Sequence, residues 1–142
     1  MLKKRCARWG WSSVLAWAIF GLGLEALHAL KASIYLDDEL TRLLLTLAHA
    51  HGIGLSLVVI VFGGSGVACF GHNESGAQRA ARQLFAASAL IPIGFVAGAI
   101  GHPEGDPSLG VLLTPIGALC LIAGLFHTAK AAWDAASNDA VS

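Results

Sequence analysis

Four apolar segments, each long enough to cross a lipid bilayer, occupy most of this chain of 142 residues. A helix needs about 20 mostly apolar residues to span the hydrocarbon core. The segments cover residues 11–30, 43–63, 83–101 and 109–128, and only short connections separate them. The sequence therefore predicts an all-α integral membrane protein, a bundle of four transmembrane helices running up, down, up and down, as a single membrane domain over residues 1–142.

The composition supports a membrane location and excludes another class of function. Hydrophobic residues make up 56% of the chain and charged residues 13%, which is more apolar surface than an ordinary soluble domain of this size can bury. The formal net charge is +0, so the chain lacks the basic field that nucleic-acid-binding proteins use. We expect the lipid bilayer as a partner, and no nucleic acid.

Motifs of familiar enzyme classes are missing from the sequence. It contains no G-x-S-x-G, Walker, H-E-x-x-H or zinc-finger pattern, and Cys6, Cys69 and Cys120 are too widely spaced for a C-x-x-C pair. The short connections between the spans leave no room for a soluble catalytic domain. We therefore favour a non-enzymatic role without catalytic residues.

The distribution of Lys and Arg predicts the orientation in the membrane, because short cytoplasmic loops retain these residues during insertion. Seven of the nine lie on one side of the four-span arrangement, whereas Lys31 and Arg42 lie on the other. The seven are Lys3, Lys4, Arg5, Arg8, Arg79, Arg82 and Lys130. We expect both termini in the cytoplasm and the acidic loops outside, in the inner (plasma) membrane of a bacterium.

The connections carry helix-capping signals. Asp37 or Asp38 is suited to cap the second span, and Ser75 begins a pattern that resembles a capping box before the third. Residues 63–76, between these spans, are rich in glycine. This composition predicts a flexible loop.

Glycines recur at helical spacings in the last two spans. They are Gly94, Gly98 and Gly101 in the third span and Gly110, Gly117 and Gly124 in the fourth. Small residues let the backbones of two membrane helices approach closely. Because the connection between these spans is short, we expect a tightly packed helical hairpin.

Ionisable side chains inside the apolar spans are the main indication of function, because an unpaired charge at membrane depth is costly. Glu25 and His28 are three residues apart and share one helical face, whereas His49 and His51 differ in direction by about 200° on a regular helix. The depths of these groups predict an outward-facing His/Glu cluster, whose members are Glu25, His28, His49 and His102. His51 is expected to face another helix, a cofactor or a partner subunit.

A polar stripe accompanies this cluster along the second span. Arg42, Thr46, His49 and Ser56 follow spacings of four, three and seven residues. These spacings place them on one helical face. We expect that face to point into the bundle.

Three interpretations of the cluster are open. In the first, each group only hydrogen-bonds another helix, as polar side chains do in membrane bundles. In the second, the cluster residues and His51 bind a transition metal or haem, since neutral imidazole suits zinc, copper and iron. In the third, Glu25 and the histidines relay protons or pass a small solute, and Arg42 supplies an electrostatic bias.

The His-x-His pattern at 49–51 resembles short histidine patterns in the transmembrane helices of haem-copper oxidase catalytic subunits. The resemblance covers Ala48 to Gly52 only. The many-helix framework of those oxidases does not fit a chain of this length, so we carry over no ligand and no family membership.

Together these features predict a membrane-embedded accessory or binding subunit with an outward-facing His/Glu cluster that binds a transition metal or haem. We expect other membrane subunits, or further copies of the chain, as protein partners. The alternatives are a proton or small-solute pathway, and a purely structural subunit without a ligand.

Overall fold

The computed structural model describes residues 1–103 and 105–139, which form helices and no strands. The α-helices are α1 (Leu2–Ala29), α2 (Ser33–Leu36), α3 (Glu39–Gly64), α4 (Glu74–Ala99) and α5 (Leu113–Asp139). Short 3-10 helices at Gly66–Phe70 and Leu109–Leu112 precede α4 and α5. Four segments are long and apolar enough to cross a membrane: α1, α3, α4 and the stretch Leu109–Ser137. The predicted all-α, four-helix membrane bundle is confirmed.

The long helices extend beyond the predicted spans. α1 begins at Leu2 rather than at residue 11, and α4 begins at Glu74 rather than at residue 83. A helix satisfies its own backbone hydrogen bonds in water as well as in lipid, so it need not stop at the membrane boundary. Hydropathy detects only the part of a helix that lies in lipid.

Each long helix packs against the next long helix in the chain: α1 on α3, α3 on α4, and α4 on α5. α1 also meets α4 near its N-terminus, where the Trp9 indole N–H donates to the Ser88 hydroxyl at 3.0 Å. In their most apolar windows, 17% of α1 and 11% of the α5 segment are buried, against 33% of α3 and 44% of α4. α1 and α5 are therefore the two edges of the bundle.

The two ends of the bundle differ in charge. One end holds the N-termini of α1 and α4, and we call it the basic end because it carries seven of the nine Lys and Arg residues. The opposite end holds the N-terminus of α3 and carries Asp37, Asp38 and Glu39. We call this the acidic end.

The core lies mainly between α3 and α4 and contains many small side chains. Toward the basic end it comprises Cys6, Val59, Phe62, Ala80, Ala81 and Leu84, and nearer the middle Leu55, Ala87 and Ile91. Ala80 and Ala87 are completely buried. Small residues at such positions let two helices approach closely, which replaces the hydrophobic driving force that lipid does not provide.

Glycines line the contact between α4 and α5. Gly94, Gly117 and Gly124 face the other helix of the pair, whereas Gly98 and Gly110 lie where α4 meets the 3-10 helix Leu109–Leu112. At Gly94, a Cβ atom would lie 2.7 Å from the Thr114 backbone nitrogen, so only glycine allows this approach. Gly101 differs, because it lies in the turn after α4 with φ 61° and a Cβ atom there would meet nothing within 4 Å.

The segment before α4 is largely helical, so the loop predicted over 63–76 is shorter than the sequence indicated. α3 extends into this segment, and the 3-10 helix Gly66–Phe70 follows. The predicted cap Ser75 is wrong, because the Asn73 side chain accepts the Gly76 N–H at 2.9 Å. Ser75 lies inside α4 and its hydroxyl donates to the same Asn73 side chain at 3.1 Å.

Candidate functional site

The predicted outward-facing residues fall into separate places near the acidic end. Glu25 and His49 line a groove between α1 and α3, together with Ala18, Leu22, Tyr35 and Thr46. We call this the Glu25 groove. His102 lies instead beside Asp38 and Thr41, where α3 begins. The single cluster that the sequence predicts is therefore divided, with Glu25 and His49 in one place and His102 in another.

The Glu25 groove has a volume of about 410 Å³ and is bordered on its outer side by exposed residues of α1. Glu25 is exposed there, one turn before the end of α1 at Ala29. The side chains that the structure describes form two ion pairs, His102 with Asp38 and Lys130 with Asp134. Glu25 takes part in neither of them, so its carboxylate has no cationic partner among the described residues.

His49 is held against the backbone of α1. Its Nδ1 lies 2.9 Å from the Trp17 carbonyl oxygen. Because a carbonyl oxygen only accepts, Nδ1 carries the proton and Nε2 of the neutral ring is an acceptor. Gly21 makes this contact possible, since a Cβ atom at that position would overlap the His49 imidazole.

The predicted polar stripe of α3 is divided among three surroundings. Ser56 is completely buried and hydrogen-bonds Ser13 of α1 at 2.7 Å. Thr46 is exposed rather than directed into the bundle, and its hydroxyl donates to the Arg42 carbonyl at 2.8 Å. The Arg42 guanidinium donates to the Leu36 carbonyl at 3.2 Å, which fastens α2 to α3.

His102 and Asp38 form an ion pair at the acidic end. His102 Nε2 donates to Asp38 Oδ2 at 2.8 Å, and Nδ1 donates to the Pro103 carbonyl at 2.8 Å. Asp38 also caps α3 as predicted, accepting the Thr41 N–H at 3.1 Å and the Thr41 hydroxyl at 2.9 Å. Both ring nitrogens of His102 are donors, which is the arrangement of a protonated imidazolium.

These contacts shift the pKa values of both partners. The hydrogen bond to the Pro103 carbonyl, and then the charge of Asp38, raise the pKa of His102 above its ordinary value of 6.5. The backbone N–H of Thr41, and then the Thr41 hydroxyl and His102, hold the pKa of Asp38 below its ordinary value of 3.8. The pair is therefore charged on both sides through the mildly acidic range.

The other two histidines that the sequence selected, His28 and His51, lie apart from both sites. His28 is exposed near the end of α1, with its ring 6.5 Å from that of Tyr35. His51 lies on the opposite side of α3 from His49 and packs against Phe95 of α4, with ring centroids 5.1 Å apart. Its Nδ1 donates to the Leu47 carbonyl one turn earlier, at 2.8 Å.

The separation of these residues bears on the predicted metal or haem ligands. Within residues 1–103 and 105–139, no group of three or more His, Cys, Asp or Glu side chains is placed to hold a metal ion. Binding of a transition metal or haem by Glu25, His28, His49, His51 and His102 stays a prediction from the sequence.

Tyr35 belongs to the site although sequence reasoning did not select it. It is 6% exposed and lies between the Glu25 groove and a second cavity of about 470 Å³ beside His102. Its position depends on the turn that brings α2 back over the end of α1, and no periodic pattern predicts such a turn. The sequence did offer a signal for Asp38, the partner of His102, because Asp38 and Thr41 have the spacing of a helix cap.

Comparison of the chain with protein-family models, curated proteins and solved structures found no match.

Proposed function

We propose that this chain is an accessory subunit that binds a transmembrane helix of another membrane protein along α1, with the Glu25 groove as the docking point. The observation that carries the proposal is the exposed Glu25 carboxylate, which has no cation partner among the described residues. Placing a charged side chain within a transmembrane helix costs free energy, and such side chains usually face a partner that compensates the charge. A second protein that brings a cation to this groove would remove that cost.

The exposed face of α1 has the spacing of a helix-packing seam. Leu15, Ala18, Leu22 and Glu25 are three, four and three residues apart, and all four are exposed. This spacing is that of the seam along which a second helix packs in a left-handed pair. Because α1 is an edge of the bundle, the seam is open to a partner from the lipid side.

The polar groups of the groove favour a partner that donates hydrogen bonds. Glu25 accepts when it is ionised, and His49 has only Nε2 left as an acceptor. The Thr46 hydroxyl donates its proton to the Arg42 carbonyl, so toward the groove it can only accept a hydrogen bond. Three acceptors in one groove suit the ammonium or guanidinium of a Lys or Arg in the partner helix.

The proposal has both termini in the cytoplasm, as the positions of Lys and Arg favour, and takes the inner membrane of a bacterium as the location. The metal or haem interpretation and the proton or solute pathway have less support. The sequence placed four polar residues in one cluster for these roles, whereas Glu25 and His49 share a groove and His102 lies outside it.

The proposal can be tested with a defined transmembrane peptide. A leucine-alanine peptide carrying one Lys at the depth of Glu25 and the same peptide with Leu in its place are reconstituted with the protein in lipid vesicles. Association is measured by energy transfer between fluorophores on the two chains. The Lys peptide should associate roughly fivefold more strongly, since a polar contact between membrane helices contributes on the order of 1 kcal/mol.

The Glu25→Gln variant should bind both peptides equally, because the carboxylate is replaced by an uncharged amide of similar size. Glu39→Gln is the matched control, since Glu39 is an exposed acid of the same end but lies in the first turn of α3. Equal association of the two peptides with the unmodified protein would defeat the proposal, and so would a preference that survives Glu25→Gln.

A further inference from the structure

A second groove lies at the basic end, far from the site described above. It has a volume of about 700 Å³ and runs between α1 and α4. Its lining consists of Arg5, Arg8, Trp9, Ser12, Ser13 and Phe85. We call it the arginine groove.

One face of α1 supplies both of the charges in this groove. Arg5, Arg8 and Ser12 are three and four residues apart, so they lie one above another on the same face. Ser12 is about 10 Å farther along the helix axis than Arg5, at about 1.5 Å per residue. The groove therefore has guanidinium groups at its outer end and hydroxyl groups deeper toward the membrane interior.

The apolar floor of the groove is fixed in place. The rings of Trp9 and Phe85 lie 5.5 Å apart between centroids. The Trp9 indole N–H donates to Ser88, whose own hydroxyl donates to the Phe85 carbonyl at 2.9 Å. Ser88 is 2% exposed, so this hydrogen-bonded link is shielded from water and holds α1 and α4 at a fixed spacing.

The charge of the groove is uncompensated by the described part of the chain. Neither Arg5 nor Arg8 takes part in an ion pair there, and the Asp134 carboxylate at this end is engaged by Lys130 at 3.1 Å. The other cations of the same end are Lys3, Lys4, Arg79 and Arg82, and the exposed acid Glu74 lies in the first turn of α4. Glu74 is not among the residues that line the groove, so an anion that enters it meets the two arginines and no acidic side chain of the lining.

We propose that the arginine groove binds one anionic phospholipid, with the phosphate at Arg5 and Arg8 and an acyl chain over Trp9 and Phe85. Guanidinium groups bind phosphate through paired hydrogen bonds, and the Ser12 hydroxyl is placed to donate a further one. Basic pockets between transmembrane helices at the headgroup level are the sites where anionic lipids bind. The rings of Trp9 and Phe85 supply the apolar surface that a free phosphate would not use.

The test compares lipid binding to matched charge variants. The purified protein in a neutral detergent is titrated with phosphatidylglycerol or with phosphatidylcholine, and bound lipid is counted by native mass spectrometry. The unmodified chain should bind one phosphatidylglycerol with a preference of about tenfold over phosphatidylcholine, and the Arg5→Gln, Arg8→Gln double variant should lose that preference. The Lys4→Gln, Arg79→Gln control removes the same charge from exposed positions that do not line the groove and should keep it.

Each other result overturns the assignment. Equal losses in the two double variants would mean that the lipid responds only to the overall charge of the basic end. Displacement of the lipid by inorganic phosphate at equal concentration would identify an anion site rather than a lipid site. A preference for phosphatidylglycerol that survives the Arg5→Gln, Arg8→Gln change would exclude the groove.

A second measurement does not depend on the folding of the charge variants. In a variant with Trp11→Phe, Trp17→Phe and Trp133→Phe, Trp9 is the sole tryptophan, and its fluorescence is quenched by phospholipids with brominated acyl chains. Brominated phosphatidylglycerol should quench Trp9 more strongly than brominated phosphatidylcholine at the same mole fraction. Equal quenching by the two lipids would contradict a bound acyl chain at Trp9.

Discussion

At the scale of single residues, the ion pair of His102 and Asp38 joins two connections that are distant in sequence. His102 follows α4, whereas Asp38 caps α3, so their 2.8 Å contact closes the acidic end of the bundle. The His102 side chain is 10% exposed and the Asp38 side chain 41%. Thr41 contacts both partners and aligns the carboxylate with the imidazole.

The pair should make stability depend on pH in a defined direction. The pKa of His102 is raised, so its contribution is complete below 6.5 and is lost as the pH rises through the higher folded-state value. The pKa of Asp38 is lowered, so its contribution is complete above 3.8 and is lost as the pH falls through the lower folded-state value. Both contributions are complete between pH 3.8 and pH 6.5.

We therefore predict that the melting temperature of the protein in detergent falls as the pH is raised above neutrality, and that His102→Gln removes this fall. Gln cannot be protonated, so the variant has no charge to lose over this range. His72→Gln is the control, because His72 is an exposed histidine of the opposite end and should leave the pH dependence unchanged. Parallel melting curves for His102→Gln and the unmodified protein would show that the ion pair does not form in solution.

At the scale of helices, α3 packs between α1 and α4, and its two sides carry different kinds of side chain. The side toward α1 carries His49 and Ser56, which hydrogen-bond the Trp17 carbonyl and Ser13. The side toward α4 is mainly apolar and packs His51 on Phe95. Polar contacts therefore align α1 with α3, whereas the packing of apolar side chains determines how α3 fits against α4.

The contact between α4 and α5 depends on glycine, and substitution there should be costly. We predict that Gly94→Ala lowers the free energy of unfolding by about 1–3 kcal/mol, the usual cost of overpacking, because the new methyl group meets the Thr114 backbone nitrogen at 2.7 Å. Gly54→Ala is the matched control in α3, where a Cβ atom meets nothing within 4 Å. It should be neutral or slightly stabilising, since alanine favours helix more than glycine does.

Unfolding in mixed detergent micelles, followed by circular dichroism, measures both glycine variants under one set of conditions. If Gly94→Ala and Gly54→Ala change the free energy of unfolding by the same amount, the close approach of α4 and α5 is absent in the folded protein.

At the scale of the whole molecule, the charge difference between the ends predicts the orientation of the bundle. We expect Asp37→Cys to react with a membrane-impermeant maleimide in intact cells and Ser75→Cys to react only after the membrane is opened. Both positions are exposed and lie at opposite ends. The native cysteines at 6, 69 and 120 are replaced by Ala in this background. Labelling of both positions in intact cells would rule out the predicted orientation.

The length and apolarity of the segments were sufficient to predict the number of long helices and the fold class, because the thickness of a bilayer sets the length of a helix that crosses it. The orientation of each helix about its own axis was harder to predict. The sequence placed Glu25 in a cluster, whereas α1 turns Cys6, Gly10 and Gly21 inward and leaves Glu25 exposed. Those small inward residues were a usable signal, since membrane helices meet at small residues.

The two sites depend on the paths of the connections between helices, which the spacing of apolar residues does not predict. The ion pair of His102 requires the turn after α4 to fold back toward the start of α3, and the position of Tyr35 requires α2 to cover the end of α1. Both are properties of connections rather than of helices. Sequence patterns predict the faces of helices well and the paths of such turns poorly.

The packing of each long helix on the preceding one has a consequence for biosynthesis. A nascent chain delivers α1 to the membrane before α3, and α3 before α4, so each arriving helix finds its main partner already in place. α5 joins last, onto α4, and completes an edge rather than the core. Because α1 is already in the membrane when α3 arrives, the polar side of α3 that carries His49 and Ser56 can pack on α1 at once instead of facing lipid.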